Sequence, residues 1–189
     1  WQDAEHPRGI LRRTSLASYR TAKPEWEIVL DIDALCKAEG KQWVYKGRDC
    51  LGPDYRRCLV SLSPGGSDAV EMREFDTVAK AFVPDGFVLP VAKQQVAWKD
   101  ENTLWVASDF GEGSLTTSGY ARIVKEWKRG TPLAQARTVF EGRVEDTFVY
   151  PMTVETPERN YHLVYRSPQF FKADVYLSVG DRLVKLPLP

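Results

Sequence analysis

Apolar and polar residues alternate with a period of two along most of this chain, the spacing of strands that bury one face. The pattern predicts strands over residues 43–45, 58–62, 70–75, 95–98, 103–107, 122–127, 161–165, 174–178 and 182–186. Two earlier ones fall at 9–14 and 26–31. Turn-forming clusters separate them at Pro64-Gly65-Gly66, Asp100-Glu101-Asn102, Arg129-Gly130-Thr131-Pro132 and Gly180-Asp181, where glycine, asparagine and proline supply the backbone angles that tight turns need. One stretch, Asp33 to Glu39, reads as a short helix, with Asp33 as its N-cap and Gly40 as its stop.

Short strands between regular turns suit a sandwich, a barrel or a propeller. An approximate internal repeat decides among them, because its period of roughly 40 to 50 residues is that of a four-stranded blade. The repeat divides the chain into segments 1–41, 42–93, 94–144 and 145–189, the first supplying only part of a blade. The expected architecture is therefore all-β, a partial β-propeller of about three to four blades of four-stranded antiparallel sheets in a single domain. Propellers close with roughly four to eight blades, so this count leaves edge strands exposed, and self-association through those edges is expected.

Composition sharpens the picture little. The 26 basic and 26 acidic residues cancel, so no global field favours nucleic acid or an anionic membrane. Six Trp, eight Tyr and eight Phe suit a sheet protein that fills its inter-sheet space with large side chains. Cys36, Cys50 and Cys58 are odd in number and lack a CxxC pair, which favours free, half-buried thiols over a disulfide framework or a zinc ribbon. A Cys50–Cys58 bridge across a hairpin is the alternative in an oxidising compartment. The chain opens on Trp1 in what reads as ordered sequence, as a piece cut from a longer protein would, and this leaves cytoplasm and periplasm equally open.

The most catalytic-looking string is Gly65-Gly66-Ser67-Asp68-Ala69, close to a G-x-S-x-G nucleophile elbow. An elbow needs a helix after its serine, whereas residues 70–75 alternate as a strand, so a hairpin turn is expected. A triad also needs a histidine, and His6 and His162 are the two available, one in a polar opening stretch and one inside a strand. The loop from Asp109 to Gly119 is rich in glycine and hydroxyls but lacks a Walker lysine and a following helix. Its Asp109-Phe110-Gly111 triplet stands apart from every other kinase element. No histidine, cysteine or carboxylate cluster has metal-ligand spacing, so neither metal nor cofactor is expected. The run from Ile123 to Arg129 alternates basic and aromatic residues, but Glu126 interrupts it, and a solvated outer strand is the expectation.

The string CLVSLSPGGSDAVEMREFD, followed by FVPDGFVLP, AKQQVAWKDENTLWVASDFGEGSLTTSGYARIVKEWKRGTPL and TVFEG, resembles the prolyl oligopeptidase family of serine peptidases in its N-terminal propeller. The opening WQDAEHPRGILRRTSLASY resembles that propeller's first hairpin, so the likeness covers nearly the whole chain. It implies a parent enzyme that cleaves short peptides after proline through an α/β-hydrolase domain carrying the serine, aspartate and histidine. That domain lies outside these residues, so no activity is expected of this polypeptide alone. The propeller would partner the peptidase domain and restrict access to short peptides. Asp68 and Arg166 match polar positions of the family's substrate cavity. Where better-known members place an aromatic before the AW of the third segment, this chain has Lys93-Gln94-Gln95, which departs from a hydrophobic subsite. A stand-alone propeller-type protein-binding module is the alternative function, and a native stop codon near Pro189 would mark it.

Overall fold

The computed structural model describes residues 1–188. Trp1–Arg48 with Tyr55–Val91 form one compact unit, and Asp49–Asp54 with the chain from Ala92 onward form another.

In the first unit β1 (Ile10–Arg13) pairs antiparallel with β2 (Glu27–Asp31), the short helix α1 (Leu16–Tyr19) lying between them in sequence. Helix α2 (Ile32–Glu39) follows β2 directly. Its cap is Asp31 rather than Asp33: the Asp31 carboxylate accepts the Ala34 N–H at 2.8 Å. Asp33 sits in the first helical turn and accepts the backbone N–H groups of Arg8 and Gly9 at 2.9 and 3.1 Å. Either aspartate satisfies the sequence rule for a cap, and the choice falls to the one whose backbone is still extended. Gly40 ends the helix in the left-handed region at φ 65°, where a side chain would be strained.

β3 (Trp43–Cys50), β4 (Arg57–Pro64), β5 (Val70–Asp76) and β6 (Ala81–Phe82) lie in that order in one antiparallel sheet, and β7 (Val88–Ala92) adds to β5. Every residue from Cys58 to Ser63 is buried, so β4 is covered on both faces rather than one. Val29, Leu30, Ile32, Trp43, Val60, Leu62 and Phe75 form the core of this unit. Cys50 and Cys58 are disulfide-bonded and Cys36 is free. The free-thiol expectation thus fails for two of the three cysteines, because an odd count without a CxxC pair does not report which thiols the fold brings together.

The second unit holds two four-stranded antiparallel sheets. One contains β8 (Gln95–Asp100), β9 (Thr103–Ala107), β10 (Ile123–Lys128) and β11 (Arg137–Glu141), with a single 3-10 turn at Leu133–Gln135 before the last. The other contains β12 (Phe148–Glu155), β13 (Asn160–Gln169), β14 (Lys172–Val179) and β15 (Arg182–Lys185). β9 is buried at all five residues, and its core partners include Val124, Val149 and Val164. β10 is not an outer strand: it lies between β9 and β11. Its Glu126 accepts from Lys99 at 2.7 Å and from the Trp105 indole at 3.2 Å, with Arg137 at 3.3 Å. Burial by itself would raise this carboxyl, but the Lys99, Trp105 and Arg137 contacts overcome it and hold the pKa at about 2. β12 carries Pro151 opposite Val164. The sheet tolerates it because β12 is the end strand, where one row of backbone groups has no ladder partner.

Candidate functional site

Ser67 sits on the turn between β4 and β5. Gly65 and Gly66 take φ of 73° and 91° there, and the Gly65 N–H donates to the Gln42 carbonyl at 3.0 Å. The Ser67 hydroxyl donates to the carbonyl of Ala69 at 3.4 Å, while Ser63 donates to the Ser67 carbonyl at 2.8 Å. A strand follows, so the serine stands on a hairpin rather than an elbow. His6 places Nδ1 2.9 Å from Asp3, a contact that raises its pKa. His162 meets Thr153 at 3.1 Å, and burial lowers its pKa. Among the described residues neither histidine is hydrogen-bonded to a serine.

Asp68, on the same turn, is exposed. Arg166, in the second unit, is engaged on two sides. Its Nε and Nη2 donate to the two carboxylate oxygens of Asp146, both at 2.7 Å, and Nη1 donates to Asp174 at 3.1 Å. Asp146 is 2 % exposed and also accepts the Arg143 N–H at 2.7 Å. Its burial would push the carboxyl up, yet the Arg166 pair and the Arg143 N–H hold it below the usual carboxylate range. The same hydrogen bonds raise the Arg166 pKa. Arg166 and Asp174 are direct cross-strand partners on β13 and β14, a register that no local sequence pattern announces. Gly142 leaves room for this pair: a Cβ there would stand 2.7 Å from Asp146 Oδ2 and from Val149.

The glycine-rich loop between β9 and β10 is tied to itself. Ser114 Oγ accepts the Phe110 N–H at 2.9 Å and lies 2.6 Å from the Gly111 carbonyl, and Asp109 accepts the Gly111 N–H at 2.9 Å. At the Lys93-Gln94-Gln95 departure, Gln94 is buried and accepts a hydrogen bond from Ser108 at 2.8 Å. Lys93 lies over the Tyr120 ring at 4.5 Å. A polar lock thus fills the position for which the resemblance supplies an aromatic. Among the described residues no three histidine, cysteine or carboxylate groups converge to hold a metal, and no helix is long and apolar enough to cross a membrane.

The sequence profile of the family described as prolyl oligopeptidase, N-terminal beta-propeller domain, matches residues 1–177. A protein of Sinorhizobium fredii named as an uncharacterized peptidase is 44 % identical over the full length of the chain, which spans 27 % of it. A Rickettsia prowazekii protein also named as an uncharacterized peptidase is 33 % identical over 75 % of the chain and 21 % of its own length. Among solved structures, a post-proline cleaving enzyme from Rickettsia typhi superposes on 100 % of the chain with a TM-score of 0.91 at 28 % identity, the chain covering 29 % of it. Oligopeptidase B of Leishmania major matches 93 % of the chain with a TM-score of 0.66 at 12 % identity, the chain covering 24 % of it, a likeness of fold. The chain therefore spans about a quarter of the length of the proteins it matches.

Proposed function

Given that this chain belongs to the prolyl oligopeptidase N-terminal β-propeller family, we propose that it is the gating portion of a serine peptidase acting on short proline-containing peptides. The observation that carries this reading is the likeness of the whole chain to a post-proline cleaving enzyme at a TM-score of 0.91. In this reading the three larger sheets are blades and β1 with β2 is part of another, over the segments 1–41, 42–93, 94–144 and 145–189. The nucleophile, base and oxyanion donors belong to a C-terminal α/β-hydrolase domain of the parent, which is the propeller's partner.

Selection then works by exclusion. A wall of packed sheets does not deform to admit a folded protein, whereas an extended peptide passes, so specificity comes from a steric barrier against the wrong substrate rather than from tighter binding of the right one. Asp68 enters the proposal as a carboxylate available to a peptide's cationic or N–H groups. Arg166 enters it as a substrate-proximal post whose orientation Asp146 and Asp174 fix, since three of its five N–H groups are engaged by them. Binding of short peptides, and self-association of the chain through exposed edge strands, belong to the same proposal.

The test is size selection by the full-length parent. A short proline reporter peptide should be cleaved, and the same sequence displayed on a folded carrier protein should survive. Comparable rates on both would sink the gating role while leaving family membership untouched.

A further inference from the structure

A cavity of about 410 Å³ in the second unit is walled by β8, by β12 and by the Asp49–Cys50 end of β3. Its size is within the range of pockets for small organic ligands, and its walls are fixed to one another. The Trp98 indole N–H donates to the Asp49 carbonyl at 3.0 Å, tying β8 to the end of β3. Thr153 on β12 donates to the Trp98 carbonyl at 2.7 Å. Glu155, at the end of β12, accepts the Gly52 N–H at 3.0 Å. These three bonds make the cavity a built feature rather than a gap between independent strands.

The charge in this cavity is of one sign. Asp49 and Glu155 both line it, while the remaining walls are neutral, with Trp98, Tyr150, Pro151 and Met152 giving apolar surface. Glu155 is committed to Gly52, whereas the Asp49 carboxylate has neither a hydrogen-bond donor nor a cation among the described residues. A carboxylate on a cavity wall with no counter-charge of its own is a ready partner for an incoming cation, which would form charge-assisted hydrogen bonds with it. Aromatic and thioether walls suit the methylene stem and ammonium head of an alkylamine.

We propose that this cavity is a binding site for a primary alkylammonium group, with Asp49 as its counter-ion and Trp98, Tyr150 and Met152 holding the alkyl stem. The site is independent of the gating role and uses neither Asp68 nor Arg166. Asp49 is exposed to solvent as a residue, yet burial of its carboxyl among the surrounding strands pushes its pKa up to about 6. Together these describe a concave position, open at its mouth and crowded at its sides. The other titratable groups on the walls are Glu155 and Tyr150, both on β12; β8 contributes none. Burial, with Tyr165 beside it, pushes the Tyr150 hydroxyl up, so it stays neutral across the range of interest.

The experiment is calorimetric titration of the full-length protein carrying this chain with 1,5-diaminopentane, and with 1-pentanol as the neutral control. Saturable binding of the diamine and none of the alcohol is expected. Asp49→Asn should weaken the diamine at least about tenfold without lowering the melting temperature, since it removes a charge that the fold disfavours. Diamine affinity should fall as the pH is lowered through about 6, since the neutral acid no longer attracts the cation. Two further arms, a short lysine peptide and its acetyllysine counterpart, separate sources. Binding of the free diamine alone assigns the site to free amines, and binding of the lysine peptide but not the acetylated one assigns it to side chains; both support the cation site. No saturable binding of any ammonium, equal binding by Asp49→Asn, or equal binding of the alcohol would overturn it.

Discussion

Replacing Arg166 with methionine is expected to lower stability by about 3 to 5 kcal/mol, the usual cost of breaking a buried ion pair from one side. The size of the effect comes from what is left behind. Asp146 is 2 % exposed, and without Arg166 its charge keeps only the Arg143 N–H. Asp174 loses one of its two cations but keeps Lys185 at 2.6 Å on the exposed side, so the penalty is concentrated at Asp146. Asp146→Asn added to Arg166→Met should recover much of the loss, because the orphaned charge is gone while the amide oxygen still accepts from the Arg143 N–H. Urea unfolding reads both variants, as a shift of midpoint at unchanged slope. A loss under about 1 kcal/mol for Arg166→Met would mean that this pair behaves as a surface contact and does not fix β13 to β14 and to the segment before β12.

Trp43→Ala should cost about 3 to 5 kcal/mol through a different mechanism, the cavity left by a large aromatic. Trp43 is 1 % exposed and belongs to the cluster that joins β2, α2, β4 and β5. It also has a polar handle: its indole N–H donates to Glu39 at 2.8 Å, and the same carboxylate accepts from Arg73 at 2.7 and 3.2 Å. Trp43→Phe separates the two contributions. It keeps most of the packing and removes one hydrogen bond to a charged group, so a loss of about 1.5 to 3 kcal/mol is expected. If the phenylalanine variant were as unstable as the alanine one, the hydrogen bond rather than the packing would dominate at this position.

The strand framework was legible because it rests on local chemistry: alternation at 70–75 and glycines at 65 and 66 reappear as β5 and the turn before it. The rest depends on contacts that adjacent residues do not report. Pro151 disguises β12, since proline argues against a strand unless the strand lies at a sheet end. Alternation reports that a strand exists but not how many of its faces are covered, so the full burial of β9 and of Cys58 to Ser63 had no local signature. The charged run at β10 reads as a solvated edge, while pairing on both sides makes it internal. Asp31 and Asp33 compete for one cap, and spacing cannot rank them.

The candidate residues divide in the same way. Ser67 could be set aside from sequence because a strand follows it. Arg166 could be singled out, but its partners Asp146 and Asp174 lie 20 and 8 residues away and meet it only through folding. Asp49 carried no signal at all, since nothing in its neighbours along the chain distinguishes it from a solvated aspartate; its chemistry comes from β8 and β12.

The most direct measurement of the gating account places the full-length parent and this chain side by side, each with a proline reporter peptide and with a serine-directed covalent probe. Turnover and labelling are expected in the parent and neither in this chain. Labelling of the chain itself would contradict it and return attention to Ser67, and silence in both proteins would contradict it in favour of a protein-binding module.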